Sequence, residues 1–547
     1  EYRRILEKVN GVETLKEKTQ FTYDSNYRVT NEKRFYGDDL ETATTAVETV
    51  YTYGSYTDEP VSSQVSGVAD IGGTLITSVN GAGVVKSTAV YDWFGRPTSQ
   101  TDPNGNTTAT AYDGIGRVTQ VTNPDATTKT TVYNDTANTI TITDENGNAH
   151  RYEYTPLGQI EKDYILSPET LLVEYQYDGH GRLDTQINYG PDGQALATIS
   201  YTYNLYNQVL TKETTGTGVD MEEIHTYDPA SGSATHLEKI MTTGDTNAPT
   251  VTQYILRDPK GLVVTEQIGN LVTQYAYDRA GNCIQKIDPK GNSTKWEYDY
   301  AGHQVRMINA FGRSAYTGYD ALGQKVQSRD YAGNYSYFTY DAVGRLIQQE
   351  TPFEEDSNTF VRYYYDAAGN LIKQSNLMSE PWFEMGYDDE WRETEYTYDS
   401  RNRVLDTIQY DDQEDEEIRT RFAYDGVGNK VSQYVGMLGD SVDGAALTTY
   451  TYNRFGAILS MTDPLNHVEH YTYDNVGRLT SKILRNGCVI AYTYDAAGRI
   501  LSETSTLNNV SSSISHTYTK TGQKLNDQND TLTITYQYDS MGRLIKQ

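Results

Sequence analysis

Cysteine is nearly absent from this chain of 547 residues, and its two copies, Cys283 and Cys488, lie far apart. They cannot staple a protein of this length and make no metal-knuckle spacing. That fits a cytoplasmic or bacterial surface protein better than a disulfide-rich secreted module. No run approaches 18 apolar residues, so no segment reads as a membrane-spanning helix. The first residues, EYRRILEKVN, hold no apolar signal-peptide core, and the sequence is expected to begin inside a longer chain. Positive charge is also short. With 45 Lys and Arg against 75 Asp and Glu, the formal charge is −30. Such a surface lacks the basic footprint that nucleic acid requires and is repelled by anionic membranes, while it tolerates a basic guest. Phe, Trp and Met number only 10, 4 and 8, but Tyr reaches 49 and Gly 45. A chain so rich in one aromatic residue is not disordered. Its hydrophobic share of 37% points to many half-buried surfaces instead of one thick core.

Internal repetition accounts for the tyrosines. The pattern is Tyr-x-Tyr-Asp-x-x-Gly-Arg-(Leu/Val/Ile). Clear copies are YDGIGRV at Tyr112, YDGHGRL at Tyr177, YDAVGRL at Tyr340, YDAAGNL at Tyr365, YDNVGRL at Tyr473, YDAAGRI at Tyr494 and YDSMGRL at Tyr538. Degenerate copies start at Tyr154, Tyr203 and Tyr452. The interval is 21 residues through Tyr91, Tyr112, Tyr133 and Tyr154, again from Tyr277 to Tyr340, and from Tyr452 to Tyr494. It lengthens elsewhere, most of all between Tyr365 and Tyr398. About twenty units can be counted, and a fixed period of this size marks a repeat architecture.

Each unit carries a second turn signal halfway along: DPNGN at Asp102, DENGN at Asp144, DPKGN at Asp288, DYAGN at Asp330. Asp opens such a turn and caps it, Pro presets φ and Gly accepts positive φ. The intervening stretches, such as TTATA before Tyr112, are short and rich in Thr, Val and Tyr, which is strand chemistry. One unit is therefore a β-hairpin plus a turn, and the chain is a meander of about forty short strands. At about 4.8 Å per strand it makes a ribbon roughly 190 Å long, too long to stay flat. Residues two apart on a strand share a face, so pairs such as Tyr471 with Tyr473 and Tyr492 with Tyr494 are expected to form cross-strand aromatic ladders.

These motifs resemble the YD, or Rhs, repeats of bacterial polymorphic toxins, wall-associated proteins, the B and C subunits of insecticidal toxin complexes, and teneurins. The resemblance runs from about Tyr23 to Gln547. It implies a spiral of hairpins forming a hollow cocoon around a polypeptide such as a C-terminal toxin. The family's core-closing signature is not found. DPKGL at Asp258 is similar to its aspartyl self-cleavage motif only superficially, because it occupies a mid-array repeat turn, and no protease role is assigned to it. The chain stops at YDSMGRLIKQ, inside a repeat.

Candidate chemistry reduces to structure at each point. The Asp after each Tyr is read as a turn cap, since the same turn is copied throughout and no pair of carboxylates is set in contrasting environments. DPNGNTTAT is no calcium loop, because Thr107 and Asp113 stand where an EF-hand needs Gly and Glu. His467 and His470 sit three apart, on opposite faces of a strand, and are read as surface histidines. The repeated Arg is expected to pair with Asp or Glu or to stack on Tyr. The acidic run DDQEDEE, 411–417, is read as a solvated loop tip. No nucleophile, phosphate-loop or dinucleotide motif appears.

The expectations are accordingly an all-β array of hairpin repeats over 1–547, coiled into a long sheet, spiral or hollow shell, with irregular insertions near 54–90 and 354–395. Its function is the wall of a shell enclosing a polypeptide cargo, with a cell-surface or glycan-binding adhesive protein as the alternative. No enzyme activity, catalytic residue, metal or cofactor is expected, and neither is nucleic acid. The location is secreted or on a bacterial surface. Strand edges at the array's ends, softened only modestly by Arg543 and Lys546, are expected to pair with more of a longer chain or to self-associate end to end.

Overall fold

The computed structural model describes 20–23 and 89–547 with side chains, apart from 217–220, 228–251, 352–358, 378–391, 411–416 and the turn positions 191, 321, 342–343, 438, 440, 520–521 and 540–541; elsewhere it describes strand backbone alone. Every regular element among the described residues is a strand, from β1 (Tyr2–Val9) to β46 (Leu544–Lys546). One sheet holds 44 of them, ending at β44 (Thr533–Thr535). Each strand pairs antiparallel with the next in sequence, so the sheet is a pure meander. The same order holds to its far end. β45 (Gln537–Tyr538) and β46 pair only with each other.

The repeat motif explains each hairpin. Between β8 (Thr107–Tyr112) and β9 (Val118–Thr122), the Asp113 amide donates to the Arg117 carbonyl at 2.9 Å and Gly116 N–H to the Asp113 carbonyl at 3.1 Å. Gly116 has φ 95°. This is a three-residue loop built on a tight turn, with glycine in the left-handed region. Register then slips by one between Ala111 and Tyr112, so a bulge precedes the turn. The same slip recurs at Thr472/Tyr473 and Thr493/Tyr494. Bulges raise local twist, and their recurrence along one side bends the ribbon.

Gly498 tests this turn cleanly. Its φ is +80°, and a Cβ there would meet nothing within 4 Å. Gly498→Val should therefore cost about 1–3 kcal/mol through backbone strain alone. Gly498→Asn should cost clearly less, since Asn tolerates this conformation. Gly477 has φ +90° and a Cβ would lie 3.5 Å from the Phe455 ring, so Val there adds crowding. Denaturant titration checks all three; unchanged midpoints for both Val variants would contradict the turn assignment.

Lengthened units lengthen their strands. Over 354–395, strands occupy Ser357–Tyr365, Leu371–Met378 and Trp391–Tyr398, and 379–390 lies outside the described residues. Over 54–90, strands occupy Thr74–Asn80 and Val84–Tyr91, and 53–73 lies outside. Buried apolar residues are few: Ile165, Ala197, Leu377, Ile408, Met437, Ile490 and Ala496 among those described. Among the described residues so large a sheet with so small a core has no second layer on its faces. What organises it is the way the ribbon returns to itself.

Candidate functional site

The meander has two edges. Turns after each Tyr-Asp line one, and the mid-unit turns line the other. Along the first, Asp, Arg and Tyr form a recurring device. In the Asp113 turn, Oδ1 accepts the amides of Ile115 at 3.0 Å and Arg117 at 2.9 Å, and Oδ2 accepts Arg117 Nε at 2.7 Å. The guanidinium then lies over the Tyr of the following unit. Arg117 sits 4.1 Å from the Tyr133 ring centroid, Arg96 4.6 Å from Tyr112, and Arg499 4.5 Å from Tyr518. The Tyr hydroxyl reaches back to a carbonyl of the preceding unit: Tyr112 to Pro97 at 2.9 Å, Tyr473 to Ile458 at 2.9 Å, Tyr494 to Leu479 at 2.6 Å. Burial raises the hydroxyl pKa at Tyr473 and Tyr494, so these groups remain donors at neutral pH. Burial and then the bond to Glu469 push Tyr471 up to about 12. The Arg182 side chain and backbone bonds hold Asp178 at about 2. Asn takes the Arg position in other turns, as where Asn106 Nδ2 donates to Asp102 Oδ2 at 3.0 Å and Asn429 Nδ2 to Asp425 Oδ2 at 2.9 Å.

The second feature is a seam. Asn402 Nδ2 donates to Asp102 Oδ2 at 3.1 Å across 300 residues. Asn104 Nδ2 donates to Asp366 Oδ2 at 2.8 Å across 262, and Asn146 Nδ2 to Asp425 Oδ2 at 2.9 Å across 279. Arg454 reaches the Pro168 carbonyl at 3.2 Å across 286. Arg401 is the most connected member: it meets Asp125 at 3.5 Å, Glu145 at 3.8 Å and the Gly426 carbonyl of the neighbouring turn. Arg403 also pairs with Asp125, at 3.4 Å. Farther along, Ala496 packs on Ala197, with Leu196 beside them. In every case a mid-unit part of 102–197 meets a Tyr-Asp turn of 366–496. The ribbon is a spiral, and two successive coils are stacked edge to edge, one edge type against the other.

The seam sets an acid response. Burial raises the carboxyls of Asp102, Asp125, Asp366 and Asp425, but accepted hydrogen bonds outweigh it and hold all four below the ordinary 3.8. A carboxylate depressed on folding contributes stability that is present above its unfolded pKa and lost as pH falls through the folded one. Falling net charge acts oppositely between neutrality and the isoelectric region near 4.6, by relieving self-repulsion. The melting temperature should therefore peak at about pH 5 and drop steeply below about pH 4. Scanning fluorimetry across this range checks it; a midpoint still level at pH 2.5 would contradict the role given to these carboxylates.

Residues 91–128 and 277–314 match the family described as RHS Repeat, and residues 335–547 match Teneurin YD-shell. The chain is a YD/Rhs-repeat protein. No curated protein matches it. Among solved structures, the crystal structure of TcdB2-TccC3-TEV is similar at 13% identity and TM-score 0.50, covering 99% of this chain and 34% of that one. The Photorhabdus luminescens Tc holotoxin pore is similar at 14% identity and TM-score 0.35, covering 97% and 32%. At such identity the likeness to the first is one of fold alone. The chain spans about a third of the length of those solved chains. The matching families are shell repeats and not catalytic domains.

Placed on this YD shell, the chemistry-bearing residues of the sequence lie in turns and strands. Asp258 caps its own turn through the amides of Lys260 and Leu262, both at 2.9 Å. His467 Nδ1 lies 3.2 Å from Asp463 Oδ2, at the position other turns give to Arg or Asn. His470 is exposed on β38 (Val468–Tyr473), opposite Ser460 and Ile483. Thr107 and Asp113 belong to one strand and the turn after it. Of the acidic run, 411–416 lies outside the described residues, and Glu417 pairs with Arg419 at 2.8 Å. Cys283 and Cys488 are both free thiols. The aromatic ladders differ from expectation: several of the described repeat tyrosines lie under the preceding unit's Arg instead of against one another. The seam went unforeseen, and its signal was the Asn and Arg at turn tips that break the repeat, as in DPNGN, DENGN and YDSRNRV.

Proposed function

We propose that this YD/Rhs array is the wall of a shell that encloses a polypeptide cargo. The observation that carries the reading is the edge-on stacking of coils 262–300 residues apart. A one-layer sheet wound on itself in this way surrounds space and leaves one face turned inward. The acidic surface suits a basic or neutral guest held without tight adhesion. With the reading goes a secreted or bacterial-surface location, where an enclosed chain would need protection. Limited proteolysis of the full-length polypeptide carrying this array tests it. A segment outside the repeats should resist digestion near neutral pH and become labile in strong acid, as the pH falls through the depressed range of the seam carboxylates and their stabilisation is lost. Equal digestion of that segment at both pH values would overturn the proposal.

One patch favours the adhesive alternative. Tyr316, Tyr335 and Tyr337 are about two-fifths exposed on one face, and the last two rings are nearly parallel, 10° apart with centroids at 6.1 Å. Arg306 and Arg329 lie beside them. Flat aromatic rings flanked by hydrogen-bond donors are suited to stacking on sugar rings. Glycan-array binding that Tyr337→Ala abolishes would support this reading, and an empty array would dismiss it.

A further inference from the structure

Three Asn-Gly pairs lie among the residues described with side chains: Asn104-Gly105, Asn146-Gly147 and Asn486-Gly487. All three hold the same place in a mid-unit turn. Their glycines have φ 89°, 83° and 79°, and each donates its N–H to the carbonyl that opens the turn, at 3.0, 3.0 and 2.9 Å. They differ in what the asparagine side chain does. Asn486 bonds locally, its Oδ1 accepting the Cys488 amide at 3.0 Å. Asn104 and Asn146 are exposed tips of the first coil, and their Nδ2 atoms donate to Asp366 and Asp425 of the second, at 2.8 and 2.9 Å. Asn-Gly is the setting in which asparagine is chemically least durable, because no Cβ on the next residue shields its amide nitrogen. Asn402, the third asparagine to donate across the seam, is followed by Arg403, whose side chain obstructs that approach.

We propose that Asn104 and Asn146 form a one-way latch, in which spontaneous deamidation turns two amide donors of the seam into carboxylates and parts the coils. In the reaction the Gly105 or Gly147 amide nitrogen, having lost its proton to hydroxide, attacks the Asn Cγ. The new N–Cγ bond closes a succinimide, the Cγ–Nδ2 bond breaks, and Nδ2 leaves as ammonia with a proton from water. Hydrolysis of the ring takes up one water and leaves aspartate or isoaspartate, with nothing oxidised or reduced. The product carboxylate then stands at hydrogen-bond distance from Asp366 or Asp425 with no proton to share, and like charges so placed repel. The closed seam resists the reaction. The attacking nitrogen is engaged by the turn carbonyl and the departing Nδ2 by an aspartate of the other coil. Both are released when the turn opens locally, so opening and deamidation promote each other. The two latches lie two repeat units apart, and loss of one loosens the stretch of seam that holds the other.

Peptide mapping by mass spectrometry, during incubation of the full wild-type chain at mildly alkaline pH, tests the latch. Asn486 should convert first, since nothing across the coils holds it. Asn104 and Asn146 should follow several-fold more slowly. The hydrodynamic radius should grow in step with these two and stay large after return to neutral pH. Gly426→Val loosens the seam at one latch, because its Cβ would lie 2.7 Å from the Glu145 carbonyl oxygen and 2.9 Å from Asn146 Oδ1. In that variant Asn146 should convert several-fold faster while Asn486 keeps its wild-type rate. Asn104→Asp with Asn146→Asp installs the product directly and should show the larger radius at once, with an unchanged far-UV spectrum. Asn486→Asp should behave as the wild type. The wild-type incubation starts from folded protein, so it decides the matter even where a variant fails to fold. Asn104 and Asn146 that stay intact while Asn486 converts, a wild-type radius that ignores their conversion, or equal Asn146 rates with and without Gly426→Val would each overturn the latch.

Discussion

Gly426→Val should part the coils without unfolding the hairpins. Gly426 is not in the left-handed region, so the substitution carries no turn strain of the Gly498 kind. What it carries is a steric wedge. Its Cβ would lie 2.7 Å from the Glu145 carbonyl oxygen, 3.0 Å from that carbonyl carbon and 2.9 Å from Asn146 Oδ1. Two of these three atoms are backbone on the opposing coil and cannot swing aside. The turn must back away, and with it go the Asn146–Asp425 bond and the contacts of Arg401 with Glu145 and Gly426. Overpacking of this kind costs about 1–3 kcal/mol locally. The larger effect is on shape, because each seam contact helps its neighbours hold register. The expected result is a larger hydrodynamic radius and a lower melting temperature with unchanged β signal in far-UV circular dichroism. A compact Gly426→Val protein would mean that the coils are held by something other than these turns.

Asp495→Ala should be the most destabilising change among the turn aspartates. Asp495 has no exposed side-chain surface, and its partner Arg499 is only 18% exposed. The carboxylate accepts the amides of Ala497 and Arg499, both at 2.9 Å, and Arg499 Nε at 2.6 Å. Truncation strands two amides and leaves a half-buried guanidinium without its counter-charge, a loss of about 3–5 kcal/mol for a buried pair. The turn is also where Ala496 packs against Ala197, so the damage reaches the seam. Asp113→Ala removes the same three bonds from a more exposed turn, where Asp113 is 22% exposed, water replaces them and its partner Arg117 keeps Asp135. Its cost should be clearly smaller. Denaturant midpoints of the two variants compare one motif in two settings. Equal losses would mean that burial at the seam contributes nothing to the turn.

Much of this architecture is written locally. Asp, Gly and the residue after Gly define most of the described turns within five positions, and the Thr-, Val- and Tyr-rich stretches between them pair with their immediate neighbours. That is why about forty strands were legible and the structure has 46. The dual use of Arg was half legible. Pairing with Asp and stacking on Tyr looked like alternatives, whereas Arg117 does both, with Nε on Asp113 and its plane over Tyr133. The seam was not legible, because its position depends on twist accumulated over an entire coil. Nothing local distinguishes Arg401 in YDSRNRV as the residue that will meet Asp125, 276 residues earlier. Repetition reveals what each unit shares, and the seam is made of what single units do not share.

The most direct test of the spiral is to measure which turns of the two coils are neighbours. With Cys283 and Cys488 replaced by Ser, Asn146→Cys and Asp425→Cys place two thiols where the native side chains meet at 2.9 Å. Asn146→Cys with Asp366→Cys is the mismatched control, since Asp366 meets Asn104 instead. A short bifunctional thiol reagent should bridge the first pair within single molecules, at a rate independent of protein concentration, and leave the second pair unlinked. Bridging of both pairs at equal rates, or of neither, would contradict the stacked coils on which the shell depends.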